Sequence, residues 1–310
     1  MEALAIVINN PRDASLRSLE IDAPQAQDAI IDVDYTGIST GTERLIWSGE
    51  MPPFPGMGYP LVPGYEATGT VLEAPDASTL KPGDAVFVPG AKCYGSIHGL
   101  FGAASSKIVT PANRLIKLPD ALGPEGVLIA LAATAHHAMS IGGLPDLIIG
   151  HGVLGRLMAR LTVALGGKPT VWEQDGNRLD AGGQYAVCRA ADDPRQDYQI
   201  VIDASGDPDI IDAAAQHMAK GSLFVLAGFY HKKVSFTFPP VFMRQMTLRV
   251  AAEWVPEDLK AVVGLLHEHP NLLSGIVTHQ SSAEQGPDAY RQALEDPTCL
   301  KMVLDWRQIS

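Results

Sequence analysis

Leu147–Gly155 reads LIIGHGVLG, and its glycines, Gly150, Gly152 and Gly155, fall at the spacing G-x-G-x-x-G. The apolar run Asp146–Gly150 predicts a strand, and LGRLMARLTVALGG after it predicts a helix ending at Gly166 and Gly167. In that setting each glycine has its own task. Gly150 permits a tight turn, Gly152 lets the backbone approach a pyrophosphate, and Gly155 lets the helix pack closely on the strand. The helix opens at Val153 and Leu154, where free N–H groups and the positive dipole end face the phosphates. Glu173 closes the next strand, TVWE, 23 residues after Gly150. A carboxylate there accepts hydrogen bonds from both ribose hydroxyls and repels a 2′-phosphate, so the cofactor expected is NAD(H) rather than NADP(H). Arg178, close behind, reads as a cap on a helix face. The alternative is a Gly-rich turn that binds nothing; the strand before it, the helix after it and the acid beyond favour the dinucleotide.

Outward from this motif the strand–helix alternation continues. YAVC and QIVIDASG read as strands, DIIDAAAQHMAK as a helix, and SLFVLAGF and TLRVAAEW as strands. Such alternation predicts an α/β domain, a doubly wound parallel Rossmann sheet over residues 123–253. Ligands of these sheets sit beyond the carboxyl ends of the strands, which brings in Ala204, Ser205, Ala227 and Gly228.

Residues 1–122 look different. ALAIVI, DAIIDVDYTG, EATGTVLEA, DAVFVP and SKIVT are short apolar or alternating runs between Gly and Pro turns, as in a small β-rich barrel or sandwich. Residues 254–310 hold a helix, PEDLKAVVGLLHEH, and a strand, CLKMVLDW, which return the chain to the first domain.

Composition narrows the function. The 310 residues carry a formal charge of −12 with no offsetting Lys/Arg cluster, which argues against nucleic acid and anionic membrane surfaces. MEALAIVINN lacks a basic n-region and no run approaches the ~20 apolar residues of a membrane span, so a cytoplasmic protein without an integral membrane segment is expected. Cys93, Cys188 and Cys299 are far apart and form no C-x-x-C, which excludes a four-cysteine zinc lobe.

YTGISTGTE, PLVPGYEATGTV, KPGDAVFV and LIIGHGVLG together resemble the medium-chain dehydrogenase/reductase superfamily, in the superfamily's order and across nearly the whole chain. The resemblance implies a GroES-like β-rich catalytic domain joined to the Rossmann domain. Zinc alcohol dehydrogenases of that superfamily place Cys where this chain has Ser39, His where it has Tyr65, and a third ligand near Ala130. A catalytic zinc needs about three protein ligands of N, S or O type, so no metal is expected here. The relay then falls to Ser39, Thr40, Thr42 and Tyr65, with Glu66 as proton acceptor or orienter; Gly41 stands where the usual relay hydroxyl would be. His98, His136 and His137 are further candidates for the base; for His136 and His137, on an apolar helix, a satisfied core histidine is the favoured role.

Tyr35–Glu66 is similar to the dehydrogenases of bacteriochlorophyll biosynthesis within that superfamily. That likeness implies a tetrapyrrole substrate whose 3-(1-hydroxyethyl) group is oxidised to 3-acetyl with NAD⁺. Trp47, Met51, Phe54, Met57 and Tyr59, stiffened by Pro and Gly, suit a wall for a flat macrocycle, with His98 in a nearby loop. The plainer alternative is a packed loop covering the barrel end. Two other functions compete: a zinc-less quinone or enoyl reductase, which would favour NADPH, and a non-catalytic dinucleotide-binding protein. The strand TLRVAAEW suits an exposed sheet edge that pairs in a homodimer.

Overall fold

The computed structural model describes residues 1–53, 55–119 and 122–309. Contacts divide the chain into two compact units, Met1–Ala130 with Leu273–Ser310, and Leu131–Leu272. In chain order the first unit begins with β1 (Glu2–Asn10), β2 (Asp13–Glu20), β3 (Asp28–Ile38) and helix α1 (Thr42–Ser48). It continues through β4 (Leu61–Pro63), β5 (Ala67–Glu73), β6 (Ala85–Val88), β7 (His98–Leu100), β8 (Lys107–Pro111) and β9 (Ile116–Lys117). Helix α2 (Ile129–Gly142) leads into β10 (Leu147–Ile149), α3 (Val153–Ala164), β11 (Thr170–Trp172), β12 (Ala186–Cys188) and β13 (Tyr198–Asp203). Then come α4 (Ile210–Ala215), β14 (Met218–Leu226), α5 (Phe238–Met243), β15 (Thr247–Val250) and α6 (Pro256–Glu268). The chain closes with β16 (His279–Ser282), α7 (Gly286–Glu295) and β17 (Met302–Asp305).

In the second unit the sheet order is β12-β11-β10-β13-β14-β15, with every pairing parallel. This is the doubly wound Rossmann order, in which the strands on either side of β10 come from the two halves of the fold. Leu147, Ile149, Val201 and Phe224 are buried in its core. Such continuous apolar runs are what strands covered on both faces require.

The first unit carries two sheets, β2-β1-β4-β7 and β16-β17-β3-β5-β6-β9, with β8 also on β3. The return strand β17 pairs antiparallel with β3, Met302 opposite Ile38 and Asp305 opposite Tyr35. Trp306, buried just beyond β17, donates its indole N–H to Thr36 at 2.9 Å. Helix α1 is cut short by Gly49, whose φ of +79° suits a left-handed cap that glycine adopts without strain.

The fold follows the expected class, with local differences. The helix read from DIIDAAAQHMAK stops at Ala215, because Met218 already pairs with Tyr198 as the start of β14. Helices α1, α5 and α7 do not stand out in the sequence. The second unit runs on to Leu272, so α6 groups with it, whereas the sequence reading closes that domain at residue 253. Asp258 of α6 explains the grouping: its carboxylate takes the Nδ1–H groups of both His136 and His137 of α2, at 2.6 and 2.8 Å. The two histidines are thereby satisfied structurally.

At Gly155 an added Cβ would overlap the carbonyl oxygen of Gly150. Gly155→Ala is therefore expected to cost about 1–3 kcal/mol, read as a lower urea midpoint for the unit that carries β10.

Candidate active site

Ser39 leaves the end of β3, and Tyr65 lies between β4 and β5. The fold brings their hydroxyls to 2.6 Å, both side chains being buried. Thr42, the first residue of α1, adds a hydrogen bond to the phenol. The Tyr65 ring meets Phe101 edge-on, centroids 5.3 Å apart. Burial, then the Glu66 charge, push the phenol well above its ordinary pKa, so Tyr65 stays neutral. Thr40 is half-buried, and its carbonyl accepts the Arg44 Nε–H at 3.2 Å.

Two buried carboxylates surround this pair. Glu43, in the first turn of α1, accepts the Ser39 N–H on Oε1 at 3.1 Å and the Tyr290 hydroxyl on Oε2 at 2.7 Å. Burial pushes Glu43 up to about 7; Glu66 adds to this, while Tyr290 and the Ser39 N–H oppose it. Glu66 forms an ion pair with Lys301, and both side chains are fully buried. Burial raises the Glu66 pKa and Lys301 pulls it back, the net shift being upward. Its Oε1 has no hydrogen-bond partner. Any side chain at Gly37 would run into Glu66 Oε2 and Lys301 Cε, so glycine is required there.

Glu43, Tyr290 and Lys301 escape the sequence reading. A signal existed for one of them: Lys301 interrupts the apolar run CLKMVLDW, where a lysine facing the core needs a buried anion. The anion is Glu66, 235 positions away in sequence.

The residues expected to form an apolar wall meet different fates. Trp47 is buried on α1 and tilts against Tyr290, centroids 6.3 Å apart. Met51, Met57 and Tyr59 are half-buried against the core of the first unit, and the Tyr59 hydroxyl donates to the Ile46 carbonyl. His98 is exposed on β7, with its ring lying over Gly58. Phe54 lies outside the described residues.

In the second unit Gly150 has φ +95°, and a Cβ there would stand 3.0 Å from the Ser205 backbone. Gly152, the N-cap of α3, has open space where a Cβ would be and carries no side-chain cap. Val153 is buried and Leu154 half-buried at the start of that helix. The expected strand-end residues gather at the carboxyl edge of this sheet. Ala204 N–H donates to Ile149 O at 2.8 Å, and the N–H groups of Ala227 and Gly228 donate to Asp203 O at 2.9 and 3.0 Å. Sequence reasoning passed over Asp203 itself. Its buried carboxylate accepts from Ser205 Oγ at 2.6 Å, from the N–H groups of Ser205 and Gly206, and from the Tyr230 hydroxyl. An acid closing an apolar strand was the available signal.

Glu173 directly follows β11 with both oxygens engaged: Oε1 accepts from the N–H groups of Gln174 and Asp175 at 2.7 and 2.8 Å, and Oε2 from the His151 N–H at 2.9 Å. Arg178 sits in a short turn with its Nε 3.6 Å from Asp175 Oδ2.

A family profile describing the alcohol dehydrogenase GroES-like domain matches residues 25–120. The chain is 50% identical, over 99% of its own length and of the relative's, to the 2-desacetyl-2-hydroxyethyl bacteriochlorophyllide A dehydrogenase of Cereibacter sphaeroides. It is 50% identical, with the same coverage, to the enzyme of that name from Rhodobacter capsulatus. The chain belongs to the bacteriochlorophyllide A dehydrogenase family of medium-chain alcohol dehydrogenases. Members of this family are enzymes of the alcohol dehydrogenase type, and so is this chain. Among solved structures, acetophenone reductase from Geotrichum candidum in complex with NAD aligns with a TM-score of 0.84, covering 99% of this chain and 98% of that one at 18% identity. It shares the two-domain fold.

At the positions where the superfamily resemblance places zinc ligands stand Ser39, Tyr65 and Ala130. The first two are hydrogen-bonded to each other, and the third offers only a methyl group. Among the described residues no group of three or more His, Cys, Asp or Glu could hold a metal ion.

Removing Lys301 would leave a buried carboxylate unpaired. Lys301→Met should cost about 3–5 kcal/mol, and adding Glu66→Gln should recover most of it, as read by urea unfolding of the single and double variants. Glu43 supplies a pH test. The fold favours its neutral form, so its contribution to stability is complete below the ordinary value of 4.5 and is lost as pH rises to about 7. The loss amounts to about 3 kcal/mol. Glu43→Gln should flatten that part of the stability–pH curve relative to wild type.

Proposed function

We propose that this protein oxidises the 1-hydroxyethyl side chain of a bacteriochlorophyllide to an acetyl group, using NAD⁺ and no metal ion. The observation that carries this reading is the 50% identity, over 99% of both chains, to dehydrogenases named for that substrate.

The cofactor half of the proposal is supported by the glycine cradle. Crowding at Gly150 and Gly155 and open space at Gly152 suit a pyrophosphate held on the N–H groups that open α3. Glu173 suits a ribose 2′-hydroxyl and opposes a 2′-phosphate. That same carboxylate disfavours the NADPH-dependent reductase reading. When bound, NAD⁺ takes the hydride from the carbinol carbon.

This chain's residues then have to manage the hydroxyl proton. Ser39 Oγ and Tyr65 OH are neutral hydroxyls 2.6 Å apart, so either can accept the carbinol proton while passing on its own, and the proton released goes finally to bulk water. Tyr65 works as a relay rather than a phenolate, because burial holds its proton on. Glu66, tied to Lys301, acts as the charge behind the pair, and Thr42 orients the phenol. Ser39, Tyr65 and Ala130 offer no thiolate, imidazole or carboxylate, which supports the metal-free reading, and the substrate lowers the need for a metal. Hydride loss builds positive character on a carbon attached to a conjugated ring, which delocalises it.

The partner proposed is a second copy of the chain. Among the described residues strand β15 pairs only with β14, and it is mostly exposed. Phe238, Phe242 and Met243 of α5 and Val250 of β15 expose between 61% and 74% of their surface, apolar area that a second copy could cover. Among the described residues no helix is long and apolar enough to cross a membrane; with the net charge of −12, a cytoplasmic location is proposed.

Turnover tests the reading. A hydroxyethyl bacteriochlorophyllide with NAD⁺ should show the red shift of acetyl conjugation and form NADH, at the same rate after exhaustive chelation. Tyr65→Phe should slow the reaction by about 10²-fold. No turnover, or stoichiometric zinc whose removal stops it, would refute the proposal.

A further inference from the structure

Position 151 lies between the first two glycines of G-x-G-x-x-G, where the motif leaves the residue type free. Here it holds a fully buried histidine. His151 makes four hydrogen bonds. Its N–H donates to Glu173 Oε2 at 2.9 Å, and its carbonyl accepts the Arg156 Nε–H at 3.1 Å. Its ring nitrogens meet the Arg178 carbonyl, Nδ1 at 2.5 Å, and the Tyr185 hydroxyl, Nε2 at 2.8 Å. A carbonyl only accepts, so Nδ1 carries the proton and Nε2 accepts from Tyr185. Burial lowers the pKa of this imidazole, which keeps that neutral tautomer in place. The Tyr185 ring stands at 88° to the imidazole.

The side chain therefore fastens two points of the 178–185 segment to the glycine loop, while the backbone of the same residue holds Glu173. A carboxylate has about four acceptor directions. Backbone N–H groups occupy two on Oε1 and one on Oε2, which leaves one on Oε2 for a ribose hydroxyl. The same clamp fixes the main chain of Arg178, the only cation of that segment, whose guanidinium lies toward Asp175.

We propose that His151 is a positioning residue for dinucleotide selection: its imidazole clamps the 178–185 segment to the glycine loop. The remaining acceptor of Glu173 then faces the 2′-hydroxyl, and Arg178 is kept from a 2′-phosphate. The proposal rests on the dinucleotide reading above and goes beyond it, since that reading assigns selection to Glu173 alone.

Binding of NADH and NADPH, followed by nicotinamide fluorescence, tests it without the tetrapyrrole. His151→Leu removes both ring contacts, His151→Asn keeps a donor for the Arg178 carbonyl, and Tyr185→Phe deletes one hydroxyl. His151→Leu should weaken NADH binding about tenfold and narrow the NADPH/NADH ratio of dissociation constants by about tenfold or more. Tyr185→Phe and His151→Asn should fall between it and wild type. They decide the matter if His151→Leu does not fold. Variants that bind both dinucleotides with the wild-type ratio, even if more weakly, overturn the proposal, because a merely structural role weakens both alike. A wild-type protein that binds neither dinucleotide overturns the underlying reading and this proposal with it.

Discussion

A lysine and a glutamate, both wholly removed from water, join positions 301 and 66 of the first unit. Two charges in such a place are tolerable only as a pair, since either one alone would carry a desolvation cost of several kcal/mol. The pair therefore dictates much around it. It holds the return strand β17 in register with the end of β3, and it demands glycine at position 37. It also sets a negative charge beside the Tyr65 phenol and the Glu43 carboxyl, raising the pKa of both after burial has done most of the work.

The polar cluster of the first unit is built from hydroxyls and carboxyls that hold one another. Ser39 and Tyr65 hydrogen-bond to each other, Glu43 gathers the Ser39 amide and the Tyr290 hydroxyl, and Lys301 neutralises Glu66. With Ser39 and Tyr65 at the two positions, the pair offers neither a thiolate nor an imidazole, the ligand types a zinc ion prefers, and its hydroxyls are hydrogen-bonded to each other. One carboxylate oxygen, Glu66 Oε1, remains without a partner, a cost that the Lys301 charge offsets.

The second unit solves a different problem with shorter-range means. Its glycines, strand ends and the Glu173 carboxylate lie within one sheet edge, and backbone N–H groups satisfy most of the acceptors there. Asp203 is the exception in kind: a buried acid that gathers Ser205, Gly206 and Tyr230 and so shapes the loop after β13.

What the amino-acid order determined by itself was whatever depends on neighbours in the chain. The glycine spacing before α3, the acid at the end of β11, the parallel alternation and the β-rich first unit all follow from local turn chemistry and periodicity, and the Ser39–Tyr65 pairing was within reach through the resemblance. The tertiary structure alone decided which distant groups share a buried space. Lys301 finds Glu66, Tyr290 finds Glu43, and Asp258 binds His136 and His137, which moves α6 into the second unit. Likewise Met218 ends a promising helix by pairing with Tyr198. These partners stand from 20 to 247 positions apart. Propensity and spacing act over a few residues, whereas the cost of burying a charge or leaving a strand unpaired is settled only once the chain has folded.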